Sequence, residues 1–385
     1  MTDRKAITGA RIFDGHAWHT DAALILLAGR IEDVVPVSRI PQDAAITDLG
    51  GGILLPGFID LQVNGGGGVM LNDEPTLDGL SRICAAHARF GTTALLPTLI
   101  TDTPATTRAA IESGRQAKQQ NVPGFLGLHL EGPHLSVARK GAHDAALIRP
   151  MLENDLDLLT SAAADMDVLL TTIAPENVSE EQVQRLAQAG VIVSLGHTNA
   201  DCQTAWRYGG AGARMATHLF NAMSPLGHRE PGLVGAVLDS DALYCGLIAD
   251  GIHVVPASMS IALRAKKGPA RIFLVTDAMS PIGTDLTSFT LNGRRILRQD
   301  GRLTLADGTL AGADIDMLSS VRLVHERLGL PLEEAVRMAT VYPAEAVGLS
   351  AKGSLRAGCD ADFVLLNEDL SMNATWIAGN RVYRQ

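Results

Sequence analysis

The feature that most constrains the fold is a series of eight short apolar segments, each of which ends in polar residues. In chain order the segments are ILLPGFIDLQVN, TALLPTLI, FLGLHLEGPH, VLLTTIAPE, VIVSLGHTN, RMATHLFN, LYCGLIADGIH and RIFLVTDAM. Their nearly continuous apolar character is typical of parallel strands that are covered on both faces. Helical patterns separate several of them, and eight strands with helical crossovers favour a barrel over an open sheet. The sequence therefore predicts an α/β protein built on a (β/α)₈ TIM-like barrel.

The segment VSEEQVQRLAQAG carries the signals of one such crossover helix. Ser179 is the expected N-cap, and Gln182 follows three residues later as its capping-box partner. Gly190 supplies the stop. We therefore expect a helix between the fourth and the fifth strands.

The two ends of the chain do not follow the barrel pattern. Residues 1–54 and 350–385 alternate between apolar and polar residues and contain Asp-Gly and Ala-Gly turn signals, as short strands do. Because chain ends often lie close together, we expect them to form one small β-sandwich domain beside a barrel of residues 55–349. A β-hairpin insert near 287–310 is predicted by three turn dipeptides, Asn292-Gly293, Asp300-Gly301 and Asp307-Gly308.

Composition excludes several classes of function. The 385 residues carry a net charge of -10, which argues against a nucleic-acid partner because such surfaces need clustered lysine and arginine. One local arginine could still hold an anionic small molecule. The N-terminal segment lacks an apolar signal core and no stretch approaches a transmembrane span, so we expect a cytoplasmic protein without a membrane partner. No paired spacing suggests a disulfide frame among the cysteines, Cys84, Cys202, Cys245 and Cys359.

Polar residues stand at the ends of most of the predicted strands, where reactive groups gather in a barrel of this kind. Taken alone, a histidine there is more often structural, and an aspartate is often a cap. Together, one carboxylate and two imidazoles on neighbouring strands match a metal site that keeps an open coordination position. The sequence therefore predicts a catalytic divalent metal held by one carboxylate and two histidines of this group, which includes Glu131, His197 and His218. The other strand-end residues are Gln62, Asn64, His253 and Asp277.

At these residues the chain resembles the amidohydrolase superfamily and, within it, the N-acetylglucosamine-6-phosphate deacetylases. The matching motifs are LPGFIDLQVNG, HLEGPH, KGAHD, SLGHTNA, THLFNAMSPL, REPGL, ADGIH and VTDAM. The late segment GSLRAGCDADFVLL is shared across the superfamily and indicates the return to the β-domain. The resemblance covers essentially the whole chain.

The resemblance implies a single metal ion in each subunit. Many amidohydrolases carry His-x-His at the end of the first strand, where it holds one metal of a pair. Here the two positions are Gln62 and Asn64, and a carboxamide is a weak neutral ligand. We therefore expect one divalent ion on Glu131, His197 and His218, with Zn²⁺ first and Fe²⁺, Co²⁺ or Mn²⁺ as alternatives.

The resemblance also implies roles for the remaining residues. Asp277 would take the proton of the attacking water and pass it to the leaving amine, while His253 would hydrogen-bond the substrate carbonyl. Arg229 would reach across a homodimer interface to the phosphate in the neighbouring site. His134 stands where other members of the family often carry an aromatic or apolar residue, and His228 lies at a variable position. Either could add a phosphate contact, but we expect both to lie in solvated loops. Further substrate contacts are expected from Ala142, His143, Asn221, Ala222, Leu310, Ala311 and Gly312.

The implied reaction is the hydrolysis of N-acetylglucosamine 6-phosphate to glucosamine 6-phosphate and acetate, a step of amino-sugar catabolism. The nearest alternative is the same reaction on the galactosamine epimer, which differs in one hydroxyl group. A second alternative is another amidohydrolase reaction, but those enzymes usually keep the first-strand histidines and often a lysine on the fourth strand. The third is a noncatalytic scaffold on the same fold.

Overall fold

The protein is described from a computed structural model, which covers residues 4–291 and 293–385. Residues 1–3 of the predicted β-domain and Asn292 of the predicted insert lie outside the described residues. The first part of the chain forms strands and one short 3-10 helix, Val37–Arg39. In chain order the strands are β1 (Arg4–Thr8), β2 (Arg11–Phe13), β3 (Trp18–His19), β4 (Ala22–Leu27), β5 (Arg30–Pro36), β6 (Ala45–Asp48) and β7 (Ile53–Pro56).

The central part of the chain is a barrel of eight parallel strands in sequential order, so the predicted architecture is confirmed. Its strands are β8 (Phe58–Val63), β11 (Thr92–Ile100), β12 (Gly127–Glu131), β13 (Val168–Ile173), β14 (Ile192–Leu195), β15 (Ala213–Ala216), β16 (Tyr244–Ile248) and β17 (Ile272–Val275), with the short ladder β9 (Gly65–Gly66) and β10 (Val69–Met70) after the first. The helices between them are α1 (Leu77–Ala88), α2 (Pro104–Gln119), α3 (Glu153–Ala163), α4 (Glu180–Gln188), α5 (Cys202–Ala211), α6 (Gly232–Asp239) and α7 (Pro256–Ala265). Helix α4 begins after Ser179, whose hydroxyl accepts from the Gln182 backbone N–H, as the sequence predicted.

A buried carboxylate joins the last barrel strand to the first. Asp60 on β8 accepts a hydrogen bond from the Thr276 hydroxyl at 2.6 Å and one from the Thr276 backbone N–H at 3.2 Å. One residue further on, the Asp277 backbone N–H donates to the Gln62 carbonyl at 2.9 Å. These bonds tie the start of the site-bearing loop after β17 to β8.

The insert is larger than the predicted hairpin. It is a four-stranded antiparallel sheet of β18 (Ser288–Leu291), β19 (Arg294–Gln299), β20 (Arg302–Thr304) and β21 (Leu310–Ala313). Its apolar face packs on Met70, Ile100 and Met279 at the barrel mouth. The Ala313 backbone N–H donates to the Asp277 carbonyl at 3.0 Å, which fixes the last strand beside the site. Three helices follow, α8 (Met317–Leu328), α9 (Leu332–Ala339) and α10 (Val341–Ala346).

The chain returns to the terminal β-structure through β22 (Phe363–Leu366), β23 (Met372–Ile377) and β24 (Asn380–Arg384). These strands join β7, β2 and β3 in a six-stranded sheet, while β5, β4, β1 and β6 form a second sheet. Buried residues of both sheets share one apolar cluster, including Leu24 and Phe363. The prediction that the two ends of the chain form β-structure beside the barrel is therefore confirmed.

The predicted first barrel segment, ILLPGFIDLQVN, lies partly in the six-stranded terminal sheet and partly in the barrel. Strand β7 pairs with β22 and β2 of the terminal sheet, whereas β8 pairs with β11 of the barrel. Gly57 stands at the division, and a Cβ atom there would lie 2.1 Å from the Thr93 hydroxyl oxygen. The chain crosses closely over β11 at this point, so only glycine fits.

Candidate metal centre and catalytic cavity

A cavity of about 270 Å³ lies at the carboxyl ends of the barrel strands. Most of the residues that the sequence singled out line it, namely Asn64, Glu131, Ala142, His143, His197, His218, Asn221, Ala222, His253, Asp277, Leu310 and Gly312. Gln62 is buried beneath the cavity, and Ala311 is buried in the insert core. Arg229 is exposed and does not line the cavity of its own chain.

The three predicted metal ligands converge on one another. Glu131 Oε1 lies 3.2 Å from His197 Nε2 and 3.1 Å from His218 Nε2, and the two Nε2 atoms are 3.1 Å apart. Ligand atoms about 2.0–2.1 Å from a tetrahedral ion are about 3.3 Å from each other. The three atoms therefore have the spacing that a divalent cation of this size requires, and all three side chains are buried.

Hydrogen bonds hold these donor atoms in place. His197 Nδ1 lies 2.8 Å from the backbone carbonyl oxygen of Arg139 and can only donate to it, which leaves Nε2 as the ring nitrogen that can ligate a cation. Gln62 Nε2 donates to Glu131 Oε1 at 3.2 Å. His218 Nδ1 is buried and has no hydrogen-bond partner among the described residues. The lone pairs of these donors suit a cation at the common point.

A fourth buried residue stands beside this triangle. Glu131, His143 and His197 also offer ligand atoms close enough to hold an ion, although His143 Nε2 is 3.9 Å from Glu131 Oε2. The other ring nitrogen of His143 is 2.8 Å from the Thr101 hydroxyl. Burial, together with the neighbouring His197, lowers the pKa of His143 to about 3, so its ring is neutral. The sequence indicated His143 only as a substrate contact, because no spacing rule relates it to the strand-end residues.

The two first-strand carboxamides act as hydrogen-bond donors to carboxylates. Asn64 Nδ2 donates to Asp277 Oδ1 at 2.6 Å, and Gln62 Nε2 donates to the same oxygen at 3.1 Å. Gln62 thus bridges Asp277 and Glu131. Burial raises the pKa of Asp277 to about 6, and the charge on Glu131 adds to the effect. The carboxamides therefore fix Asp277 beside the metal ligands without adding a charge.

The backbone is strained at three of the residues that line the cavity. His197, His218 and Asp277 have φ angles of 48°, 31° and 52°, in the left-handed region that side chains other than glycine rarely adopt. Each such residue costs about 1–3 kcal/mol, and the packed barrel around them maintains the conformation. The strain turns each side chain from its strand into the cavity.

His253 has a buried carboxylate behind it. Its Nδ1 atom is 2.6 Å from Asp250 Oδ2, and Asp250 Oδ1 accepts the backbone N–H groups of Ile252 and His253 at 2.8 Å each. Burial opposes ionisation of Asp250, but the hydrogen bond and charge of His253, together with the two backbone N–H groups, outweigh burial and lower the pKa of Asp250. Nε2 is thus the ring nitrogen of His253 that remains available to the cavity. Sequence reasoning missed Asp250, although the Asp-x-x-His spacing in ADGIH could have indicated it.

The expectation for His134 is wrong. Its ring is buried, with Nδ1 at 3.1 Å from the Arg149 carbonyl and Nε2 at 4.0 Å from Asp155 Oδ2. It lines a second cavity of about 360 Å³ between α2 and α3. The loop after Glu131 folds back over the start of α3, and this removes His134 from solvent. His228 is exposed, as expected.

Comparison with known proteins decides the family. The Amidohydrolase family matches residues 53–382, which is most of the chain. The chain belongs to the amidohydrolase family. A second match, to the NagA composite domain, covers residues 6–54. The resemblance predicted from the strand-end motifs is therefore confirmed.

Several members of the amidohydrolase family are similar to this chain over nearly all of their length. An N-acetylgalactosamine-6-phosphate deacetylase from Shewanella sp. (strain ANA-3) is 47% identical and covers 86% of this chain and 84% of its own. The N-acetylglucosamine-6-phosphate deacetylase of Haemophilus influenzae is 37% identical, and the match covers 93% of this chain and 94% of that protein. The crystal structure of N-acetylglucosamine-6-phosphate deacetylase from Pasteurella multocida has a TM-score of 0.94 at 36% identity, covering 99% of this chain and 100% of that one.

The amidohydrolase chain buries all four of its cysteines, and each is free. Burial raises the pKa of Cys84 and of Cys245 to about 12, so both are protonated thiols in the core. Among the helices described here, none combines the length and the apolar character needed to cross a lipid bilayer.

Proposed function

We propose that this amidohydrolase is a metal-dependent deacetylase that hydrolyses N-acetyl-D-glucosamine 6-phosphate to D-glucosamine 6-phosphate and acetate. The observation that carries the proposal is the convergence of Glu131, His197 and His218 at 3.1–3.2 Å, with Asp277 in the same cavity. The names of the relatives in Haemophilus influenzae and Pasteurella multocida support the substrate. The reaction belongs to amino-sugar catabolism, and we propose a cytoplasmic location.

One divalent cation would be held by Glu131, His197 and His218, with Zn²⁺ as our first candidate. Imidazole and carboxylate suit Zn²⁺, and the buried lone pairs are spaced for it. When bound, a divalent ion supplies Lewis acidity and lowers the pKa of a coordinated water from about 16 to about 7. The role of Gln62 and Asn64 as donors to carboxylates agrees with one ion rather than two.

Asp277 would carry the proton between water and the leaving group. Its Oδ1 atom is held by Asn64 and Gln62, so Oδ2 is the oxygen left to accept the proton of the attacking water. An amine anion is a very poor leaving group, and Asp277 would return the proton to the nitrogen as the C–N bond breaks. A raised carboxyl pKa suits a group that must both accept and release a proton.

His253 would bind the carbonyl oxygen of the acetamide as negative charge develops on it. Asp250 fixes the ring by accepting from Nδ1, so the protonated form of His253 would donate from Nε2 to the substrate carbonyl oxygen. A donor that is already oriented loses little free energy to reorganisation during the reaction. Residues of the cavity lining would position the sugar and its phosphate, namely Ala142, His143, Asn221, Ala222, Leu310 and Gly312. Ala311 is buried in the insert core and would not contact the sugar.

We further propose that the protein is a homodimer and that Arg229 of one subunit binds the phosphate in the site of the other. Two observations support this. Arg229 is exposed, and it lies outside the cavity of its own chain. An arginine fork matches the oxygens of a phosphate group, so an exposed arginine near an interface suits the role.

Acetate release is the decisive measurement. We expect the protein to release acetate from N-acetylglucosamine 6-phosphate, to lose this activity with a chelator and to regain it when a divalent ion is restored. Metal analysis should give about one ion per chain. Activity that is unchanged in a metal-free preparation would contradict the proposal, and a metal-free inactive protein that no ion restores would favour the scaffold.

A second candidate function is the deacetylation of N-acetylgalactosamine 6-phosphate. The Shewanella relative that carries this name is 47% identical, which is higher than the 37% of the Haemophilus influenzae relative. The two substrates differ only in the orientation of one sugar hydroxyl. Measuring kcat/KM for both epimers under the same conditions distinguishes the two functions, and the larger value identifies the substrate.

A further inference from the structure

The described lining of the catalytic cavity lacks a permanently cationic side chain. Among the described residues that line it, none is a lysine or an arginine, although the lining includes Glu131 and Asp277. A phosphorylated sugar would bring further negative charge into this space. A phosphate group next to two carboxylates needs a cation for favourable binding. The cation must therefore stand at the rim of the cavity or come from a second copy of the chain.

Two cationic side chains of the same chain stand at this rim. Arg294, on β19 of the insert, donates through Nη2 to the backbone carbonyl of Ala142, which lines the cavity. Lys140 Nζ lies 3.4 Å from the backbone carbonyl of Gly141, which also lines it. Both side chains are half-buried, and neither forms an ion pair with a described residue. No described carboxylate is therefore in direct contact with either charge.

We propose that Arg294 and Lys140 contact the substrate phosphate from within the same chain, alongside the Arg229 that a second subunit would supply. The inference rests on the proposed function, and it makes the two residues determinants of specificity for the phosphorylated sugar. The insert that carries Arg294 is fixed on the barrel mouth by its contacts with Met70, Ile100 and Met279. The arginine is thus held in position, and most of its N–H donors remain free for phosphate oxygens.

The strand that carries Arg294 provides its own control. Arg295 is the next residue on β19, so its side chain points to the opposite face of the sheet. It is exposed and donates to the Ser288 hydroxyl at 3.3 Å. Arg295→Ala changes the net charge by the same amount as Arg294→Ala, but the lost charge lies away from the cavity. Long-range electrostatic effects on an anionic substrate are therefore matched between the two variants.

The experiment measures kcat/KM for acetate release from N-acetylglucosamine 6-phosphate and from unphosphorylated N-acetylglucosamine. The wild type is compared with Arg294→Ala, Arg294→Lys, Lys140→Ala and Arg295→Ala. We expect Arg294→Ala to lower kcat/KM for the phosphorylated sugar about 10- to 100-fold, with little change for the unphosphorylated sugar. Lys140→Ala should act in the same direction, Arg294→Lys should restore part of the loss, and Arg295→Ala should resemble the wild type.

The outcomes separate this inference from the function on which it rests. A wild type that deacetylates neither phosphorylated epimer overturns the proposed function, and this inference with it. A wild type that prefers the phosphorylated sugar, with an Arg294→Ala variant that loses activity equally on both sugars, overturns this inference alone. That result would mean that Arg294 only supports the Ala142 loop. Equal losses in Arg294→Ala and Arg295→Ala would also overturn it.

Discussion

At the scale of single residues, the site shifts the pKa values of two neighbouring carboxylates in opposite directions. Burial alone would raise the pKa of Glu131, but hydrogen bonds with His197 and His218 outweigh it and hold that pKa well below its ordinary value. Burial and the Glu131 charge raise the pKa of Asp277 to about 6. Neighbouring carboxylates with separated pKa values are typical of an acid–base pair in which one group stays ionised and the other exchanges protons.

Replacing Asp277 with asparagine tests its role in proton transfer. The asparagine would keep the size of the side chain and leave the three metal ligands in place. We expect Asp277→Asn to retain about one metal ion per chain and to lower kcat by about 10²- to 10⁴-fold, because no group would move the proton. Metal analysis and steady-state kinetics check this. A variant with nearly full turnover would show that Asp277 does not transfer the proton.

Replacing Asp250 with asparagine tests whether it positions His253. The amide oxygen of the variant can still accept the backbone N–H groups of Ile252 and His253, so the turn should persist. We expect kcat to fall about tenfold or more with little change in KM. The reason is that the His253 ring loses the negative charge of its partner but stays in the same position in the cavity. His253→Ala serves as the comparison. An unchanged kcat in Asp250→Asn would exclude a positioning role.

At the scale of helices and strands, the sequence predicted what depends on local patterns. The eight strands follow from apolar runs, and α4 follows from its capping box. The division at Gly57 was not predictable, because it depends on the close approach of Thr93 from β11. The insert was predicted as a hairpin because the turn dipeptides mark its turns but not the pairing of β20 with β21. The strand-end rule similarly indicated Glu131, His197 and His218, but it could not show that Gln62 and Asn64 donate to Asp277.

The hydrogen bonds of Asp60 that join β8 to the end of β17 should make the free energy of unfolding depend on pH. Burial raises the pKa of Asp60 to about 7, whereas its ordinary value is 3.8. The folded protein therefore keeps a proton that the unfolded chain loses between about pH 4 and pH 7. The contribution of the protonated Asp60 to the free energy of unfolding is complete below about pH 4 and is lost as the pH rises to about 7. At about 1.4 kcal/mol per pH unit, this contribution amounts to a few kcal/mol.

Asp60→Asn should remove this pH dependence, because the asparagine can keep the hydrogen bonds to Thr276 but does not titrate. We expect the free energy of unfolding of the variant, relative to the wild type, to increase between pH 4.5 and pH 7. Urea unfolding at several pH values measures it. A difference between the two proteins that stays constant across this range would show that Asp60 does not titrate there.

At the scale of the whole molecule, the barrel and the terminal sheets place the reactive groups at one mouth. We propose the predicted β-domain of the two chain ends and the predicted barrel domain, with the first boundary at Gly57 instead of 54/55, because β7 (Ile53–Pro56) pairs within the terminal sheet. The loop that carries Arg229 is exposed but anchored. Glu230 Oε1 accepts the backbone N–H groups of Cys202 and Gly232 at 2.9 Å each, which ties the loop to the starts of α5 and α6.

Mixing two inactive variants tests whether Arg229 acts in the site of a second subunit. We expect Arg229→Ala to raise KM for the phosphorylated sugar much more than for the unphosphorylated one, and Asp277→Asn to be nearly inactive. In a mixed dimer, the subunit with Arg229→Ala keeps its own Asp277 and would receive Arg229 from its partner. About one quarter of all sites in an equal, randomly assembled mixture would then be complete.

Co-expression of the two variants with different affinity tags yields the mixed dimer, and kcat/KM for acetate release at low substrate concentration measures the recovery. Each variant expressed alone, and the two proteins mixed without subunit exchange, are the controls. If Arg229 served the site of its own chain, every site in the mixed dimer would lack one of the two residues, and no activity would return. Recovery therefore requires that Arg229 and Asp277 of one functioning site come from different chains.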